Sequence, residues 1–281
     1  METQIVGFPL DETERRIRHV ISIMPALGRS LLSSQDSLNI RNSSSSQSDK
    51  ILMEKADRTI SHTIVRSLQT QFPEDKIVSE DEGQVGSDGD FEWWCDPVDG
   101  TRNFIHGIPF FCISMGLTWR GSPVGGVVHV PAMGQTGLTY HAIVGQGAFK
   151  NQNPIHVSTV SQLERAVMAS GLPYRRKEII GDILGDIFAF VTTGIGLRRT
   201  GSVILDLCWI AEGKFDALWD RDISPWDSCA ASVILFEAGG KISGYLGEKF
   251  DIQQTRIVAS NGILHEEAVS VLQKARKTTM N

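Results

Sequence analysis

The sequence predicts a mixed α/β protein, on three features of its pattern. Apolar residues recur at helical steps before Pro73, a β-rich stretch runs from Phe110 to Phe149, and after Asn151 short apolar runs alternate with helical segments. With 281 residues the chain is long enough for one large domain or two small ones, and for a sizeable apolar core.

Taken in order, Ile17, Ile21, Met24, Leu27 and Leu31 predict an amphipathic helix from Asp11 to Leu32, with a kink or a boundary at Pro25. Ser33 to Asp49, which holds the serine run Ser43 to Ser46, is too polar to bury and reads as an exposed loop or a flap over a nearby site. Ala56, Ile60, Ile64 and Leu68 predict a second helix from Lys50 to Thr70, which Pro73 bars from continuing. Ile77-Val78-Ser79 predicts a short strand ending in Glu80-Asp81-Glu82, and Phe91 to Cys95 another ending at Asp96. Ile113 to Leu117 and Val124 to Val130 are the clearest strands of the β-rich stretch. A change of character near 150 divides the chain into halves 1–150 and 151–281. In the second half, helices are predicted at Gly181 to Val191, Val203 to Ala211 and Pro225 to Ala238. Leu264, Ala268, Leu272 and Ala275 mark a last helix, with Asn261 as its cap, Glu266 and Glu267 early, and Lys274, Arg276 and Lys277 late.

Several function classes are set aside by composition. No run of about 18 apolar residues occurs, so no membrane-spanning helix is expected. The formal net charge of −6 argues against a broad basic face for duplex nucleic acid, but not against a phosphorylated substrate whose charge metal ions could meet. Met1 to Val6 lacks the basic and apolar regions of a signal peptide, and Cys95, Cys112, Cys208 and Cys229 are widely spaced without C-x-x-C. A cytoplasmic protein with reduced, mostly buried thiols is expected. The histidines show no zinc-site spacing, and Gly194-x-Gly196 does not extend to a nucleotide-binding glycine motif.

The most informative stretch is Asp96-Pro97-Val98-Asp99-Gly100-Thr101-Arg102-Asn103-Phe104. Two carboxylates stand three apart at the end of an apolar strand. Pro97 restricts the backbone, Gly100 permits a tight turn, and Thr101 can open a helix whose free amides would face an anion. Mg²⁺ prefers oxygen ligands and keeps waters and phosphate oxygens, so these parts suit a metal-assisted phosphoryl site. Asp-Pro and Asp-Gly also make ordinary turns. The full string, however, matches D-P-[ILV]-D-G-[ST]-x-N-F, and in this the sequence resembles the inositol monophosphatase family. Trp226-Asp227-Ser228-Cys229-Ala230-Ala231, running on to Glu237-Ala238-Gly239-Gly240, is similar to the family's second signature, with Cys229 where the family often has Ala. Ser224-x-x-Asp227 also reads as a capping box with Pro225 at the first helical position. Ile77 to Gly83 resembles the family's Gly-Glu-Glu segment. By that match Glu80 is the ligand, although Ser79 and Asp81 depart from the pattern and leave Glu82 as the alternative. Ala56-Asp57-Arg58 resembles the family's Thr/Ala-Asp segment, Gly196 to Ser202 its R-x-x-G-[ST] turn, and Gly213 to Ala217 its G-x-x-D-A/G strand.

The resemblance implies a layered αβαβα sandwich, with an antiparallel N-terminal sheet and a smaller mixed C-terminal sheet. It also implies a Mg²⁺-dependent phosphomonoesterase with two or three ions held by Glu80, Asp96, Asp99, Asp227 and the carbonyl of Val98. Its catalytic groups would be Asp57, Thr101 and Glu80, with Asp57 and Thr101 orienting a metal-activated water, and no phosphoenzyme would form. The amides of Gly100 and Thr101 would hold phosphate oxygens, while Arg198, Ser202 and Asp220 would contact the substrate, with Asp222 a second candidate. Arg175-Arg176-Lys177 reads as a solvated face or as a contact to a second anionic group. Inhibition by Li⁺ and a homodimer are further implications. The expected substrate is a small phosphorylated metabolite of the inositol 1-phosphate type. Histidinol phosphate, a sugar or nucleotide bisphosphate, and a regulatory module contacting protein or RNA are the alternatives.

Overall fold

The protein is described by a computed structural model over residues 7–37, 46–171 and 180–279. The N-terminal hexapeptide, part of the serine-rich stretch and the triplet Arg175-Arg176-Lys177 lie outside the described residues.

The first helix, α1 (Leu10–Ser37), continues past Pro25 without a boundary. A boundary is not needed, because Val20, Met24, Leu27 and Leu31 on either side of the proline are all buried and hold both halves of the helix. Ser33 to Ser37 continue α1 rather than opening a loop, and Ser46 already begins α2 (Ser46–Gln71). One local and one long-range bond accompany the longer α1: the Ser34 hydroxyl donates to the Ser30 carbonyl at 3.0 Å, and Gln35 Nε2 donates to the distant Phe104 carbonyl at 2.5 Å.

Both helices cover one face of an eight-stranded sheet. Its strands are β1 (Lys76–Ser79), β2 (Gly83–Val85), β3 (Phe91–Asp99), β4 (Cys112–Trp119), β5 (Ser122–Val130), β6 (Leu138–Ile143), β7 (Ala148–Lys150) and β8 (Asn153–Pro154), in the order β2-β1-β3-β4-β5-β6-β7-β8. Neighbours are antiparallel except β1 and β3, which run parallel, so the sheet departs from a purely antiparallel one at that pair.

The second sheet has five strands: β9 (Val167–Ser170), β10 (Gly196–Arg198), β11 (Ala217–Arg221), β12 (Lys241–Gly244) and β13 (Arg256–Ser260). It is mixed, ordered β10-β9-β11-β13-β12, with parallel pairing at β10, β9 and β11 and antiparallel pairing beyond. Between the sheets lie α5 (Val203–Ala211) and α6 (Pro225–Glu237), while α4 (Ile180–Val191) and α7 (His265–Thr279) pack outside the second sheet. The layers are therefore αβαβα. A short α3 (Thr101–Ile105) follows β3. Asn261 Oδ1 accepts from the Leu264 amide at 3.1 Å and so caps the entry to α7.

Apolar cores fill the gaps, three of them large. One joins α1 and α2 to the large sheet through Ile17, Ile64, Trp93 and Phe111. A second packs α5 and α6 between the sheets, and a third lies under α4 and α7. The middle layer sits close because glycine faces it: a Cβ on Gly126 would meet the Ala230 carbonyl oxygen at 2.4 Å, and one on Gly116 would meet Cys229 Sγ at 2.5 Å. This approach brings the start of α6 to the end of β3. All four cysteines are buried and free. No described helix is long and apolar enough to cross a membrane.

Candidate active site

The ends of β1 and β3, the starts of α5 and α6, and one face of α2 meet at a cluster of carboxylates. Strand alternation would send Asp96 and Asp99 to opposite faces. The ladder between β3 and β4 slips between these two residues, and that irregularity turns both toward the same side. An Asx turn supports it: Asp96 Oδ1 accepts from the Val98 amide at 2.9 Å. Parallel pairing of Ser79 with Cys95 then sets Glu80 beside Asp96, and the Glu80 amide donates to the Cys95 carbonyl at 3.2 Å. Ser61 on α2 hydrogen-bonds Ser79 at 2.7 Å, and Asp57, one turn earlier on the same helix face, is brought to Glu80. Glu82 is placed elsewhere, 3.2 Å from His62 on the outside of α2.

Asp99 is gripped by the N-terminus of α5. Its Oδ2 accepts from the Ser202 hydroxyl at 2.5 Å and from the Ile204 amide at 3.0 Å. Ser202 is itself the cap of that helix, its Oγ accepting from the Leu205 amide at 3.2 Å. Asp227 shows both of its sequence-level characters: Oδ2 accepts from the Ser224 amide at 2.7 Å in a capping box, while the side chain lines the cleft. Gly100 adopts φ 85°, and a Cβ there would lie 2.6 Å from the Phe110 carbonyl oxygen, so only glycine fits the turn into α3. The Thr101 hydroxyl donates to the Val98 carbonyl at 3.2 Å.

Electrostatics follow from that crowding. Burial, reinforced by the charges of Glu80, Asp99 and Asp227, raises the Asp96 carboxyl well above its ordinary range. Asp227 is raised for the same reasons. Desolvation behind the exposed Glu80, with Asp81 and Asp99 nearby, pushes it up to about 7. Desolvation and the charges of Asp81, Glu80 and Glu54 push Asp57 up to about 8. Asp99 rises only to about 6, because the Ser202 hydroxyl and the Ile204 amide offset its burial.

Beside the cluster lies a cleft of about 220 Å³ whose walls include Asp99, Asp227, Arg199, Ser202, Asp206 and Asp220. Asp220 is buried, and burial raises it to about 7; its Oδ1 accepts from the Arg221 amide at 2.7 Å. Arg198 is not brought to the cleft. It ends β10 with its side chain exposed and its Nη1 on the Leu197 carbonyl at 3.1 Å, and the strand's alternation turns Arg199 to the cleft instead. Sequence reading missed two further residues. Asp206 accepts from the Thr200 hydroxyl at 2.7 Å, and its place four residues after Ser202 on a predicted helix was the available signal. Asn103 Nδ2 donates to the carbonyls of Phe110 at 2.7 Å and Thr200 at 2.9 Å, tying the α3 turn to the α5 turn; it stood inside the recognised string without a role.

The donor set suits a hard cation. It is all oxygen, no Lys or Arg side chain hydrogen-bonds the five carboxylates among the described residues, and Asp57 Oδ1 is buried without a hydrogen-bond partner. No group of three described His, Cys, Asp or Glu side chains is drawn tightly enough to form a finished cage.

A layered αβαβα fold with an acidic, phosphate-sized cleft between its sheets defines a class of phosphomonoester hydrolases. Residues 18–277 match the inositol monophosphatase family, and the chain belongs to it. It is 36% identical over 222 residues to an inositol-1-monophosphatase of Synechocystis, covering 79% of this chain and 76% of that one. A fructose-1,6-bisphosphatase/inositol-1-monophosphatase of Aquifex aeolicus is 35% identical over 227 residues, covering 80% and 83%. The structure of an inositol monophosphatase from Anabaena (Nostoc) superposes with TM-score 0.83 at 30% identity, covering 94% of this chain and 97% of the other.

Proposed function

We propose that this protein hydrolyses a small phosphate monoester of the inositol 1-phosphate type with Mg²⁺ held by Glu80, Asp96, Asp99, Asp227 and the Val98 carbonyl. The carrying observation is the convergence of buried carboxylates on one another with no basic side chain bonded to them among the described residues. Burying like charge is costly unless a cation offsets it. When bound, the ions would supply an activated water and stabilise the departing alkoxide.

The chain's own residues then have distinct tasks. Asp57 and Thr101 orient the attacking water, and Asp57 accepts its proton, with Glu80 beside it at the mouth. The Thr101 hydroxyl, already bonded to the Val98 carbonyl, is fixed for that purpose. The amides of Gly100 and Thr101 face the phosphate oxygens, and α5 holds Asp99 in place through Ser202. Ser202 and Asp220 bound the alcohol half of the substrate, and Arg199 takes the part that the sequence resemblance gave to Arg198. Water attacks phosphorus directly, so no residue is phosphorylated.

One observation favours a second substrate class. Asp206, Asp220 and Asp222 set three carboxylates on the cleft beyond the metal-binding group, against Arg199 and Arg221, and the Arg221 guanidinium is already paired with Asp186. Such a wall suits the ammonium of an amino-alcohol phosphate such as histidinol phosphate. Phosphate release with Mg²⁺ from inositol 1-phosphate, histidinol phosphate, fructose 1,6-bisphosphate and glycerol 2-phosphate separates these readings. Release from at least one, lost in Asp99→Asn, is expected. Release from none by folded, Mg²⁺-binding protein would sink the proposal.

A further inference from the structure

The last two residues of β11 are held unequally on their two sides. Toward β13 the ladder continues through Asp220 with Ile257 and Arg221 with Arg256. Toward β9 it stops at Trp219 with Ser170. The next residue there, Gly171, packs so closely that a Cβ would lie 2.1 Å from Asp220 Oδ1. Beyond Arg221 the chain turns sharply, with Asp222 at φ 63°. Among the described residues β9 offers this strand end no further ladder pair, and a left-handed residue follows it, so a side-chain anchor adds to the hold of Gly171 on Asp220.

The Arg221 side chain is that anchor. It is 5% exposed and leaves the opposite face of β11 from Asp220. Its Nε donates to Tyr245 Oη at 3.0 Å, and its Nη2 donates to Asp186 Oδ2. Tyr245 Oη donates to the same Asp186 oxygen. Asp182 Oδ2 stands 3.5 Å from Nη1, and the guanidinium lies 4.6 Å over the Tyr245 ring. Asp182 and Asp186 are one turn apart on α4, and Tyr245 follows β12, so two parts of the fold grip one fork. The same residue's amide donates to Asp220 Oδ1 at 2.7 Å.

We propose that Arg221 is a positioning residue: its clamp on Asp186 and Tyr245 fixes the strand end that aims Asp220 at the alcohol half of the substrate. This rests on the phosphatase reading above. Arg16 and Asp75 show that such a clamp can be purely structural, so what sets Arg221 apart is its place beside Asp220, whose carboxylate its own amide also holds. A planar, bidentate fork adds directional constraint.

The test compares two esters: inositol 1-phosphate, whose hydroxyls can reach Asp220, and p-nitrophenyl phosphate, whose alcohol half offers none. Arg221→Met should raise KM for the first about tenfold more than for the second, with kcat little altered, as expected for lost binding rather than lost chemistry. Arg221→Lys should recover part of that difference. Adding Arg221→Met to Asp220→Asn should then change the KM ratio little further, because both act through one carboxylate. Equal effects on both esters, or full additivity with Asp220→Asn, would overturn the proposal. Tyr245→Phe, a smaller lesion, carries the same comparison if Arg221→Met does not fold. If the wild type hydrolyses neither these esters nor any of the panel above, the phosphatase reading fails by itself. The clamp is then decided by ¹³C NMR titration of the Asp220 carboxyl, which should move in Tyr245→Phe; an unchanged titration would refute it.

Discussion

Asp75, just before β1, and Asp96, near the end of the neighbouring β3, are 1% and 2% exposed, yet their surroundings are opposite. Asp75 is fully matched. Arg16 donates to both of its oxygens, at 2.9 and 2.7 Å, and Trp93 Nε1 donates at 2.9 Å. The guanidinium itself lies 3.9 Å over the Phe91 ring. Asp96 has one backbone donor and three carboxylate neighbours. The first arrangement closes its own charge and ties α1 to the loop before β1. The second crowds a carboxyl against other carboxyls beside a cleft, with no basic side chain to meet it among the described residues. Within one fold, a buried carboxylate that serves structure is therefore told from one that serves chemistry by its partners, not by its depth.

The comparison can be broken most sharply by activity. Asp99→Asn should remove phosphate release by roughly a thousandfold or more, as losing a metal ligand and a focused charge does. Because it also relieves like-charge crowding, its metal-free melting temperature should hold or rise. Calorimetry showing a lower Tm would mean that the cluster stabilises the fold after all.

Asp75→Asn should do the reverse. Stranding the Arg16 guanidinium is expected to cost about 3–5 kcal/mol in denaturant titration. Activity per folded molecule should survive, and a stability loss near zero would remove the contrast.

Adding Mg²⁺ should stabilise the wild type by about 2.7 kcal/mol at a hundredfold excess over its dissociation constant. Chelation should reverse this, and Asp99→Asn should respond much less. An equal response in both would place the ion elsewhere.

The pH dependence of the metal-free protein is a finer probe. Glu80 and Asp57 stand near 7 and 8, above their ordinary values near 4, so the folded chain binds protons that the unfolded chain has released. Stability from these groups is present below about pH 4 and is lost as pH rises through 7 to 8. Burial holds His129 and His265 near 4, below 6.5, so their effect runs the other way and is lost as pH falls through 4. The two oppose each other below pH 6.5, and only the carboxylate effect remains above it. Melting temperature in a chelator should thus fall between pH 6.5 and 8, less so in Asp57→Asn. The smallest effect belongs to the exposed Arg120–Asp90 pair at 3.1 Å, whose removal should leave both stability and activity unchanged within error.

Much of this was legible in the chain itself. Helical spacing placed α1, α2 and the last four helices because one face of each must be apolar to pack, and the span Val203 to Ala211 agrees residue for residue. Asp96, Asp99 and Gly100 could be singled out because a turn between two carboxylates is a local matter, written in nine consecutive residues. The layered fold came through family resemblance. Pro25 does not end α1 as one of the two expected outcomes had it, since a missing local donor says nothing about the tertiary burial that carries a helix past it.

Other features were decided only by folding. Whether Glu80 or Glu82 joins the cluster depends on the register of β1 against β3, and neither strand encodes its partner. Whether Arg198 or Arg199 faces the cleft turns on one step of strand alternation. Asn103 joins segments 97 residues apart. Arg221 acquires its anchor from α4 and from Tyr245. The physical reason is the same each time. Local sequence sets what a segment can become, through steric and hydrogen-bonding preferences within a few residues. Which charges meet, and which are left unmatched, is set by packing between segments distant along the chain.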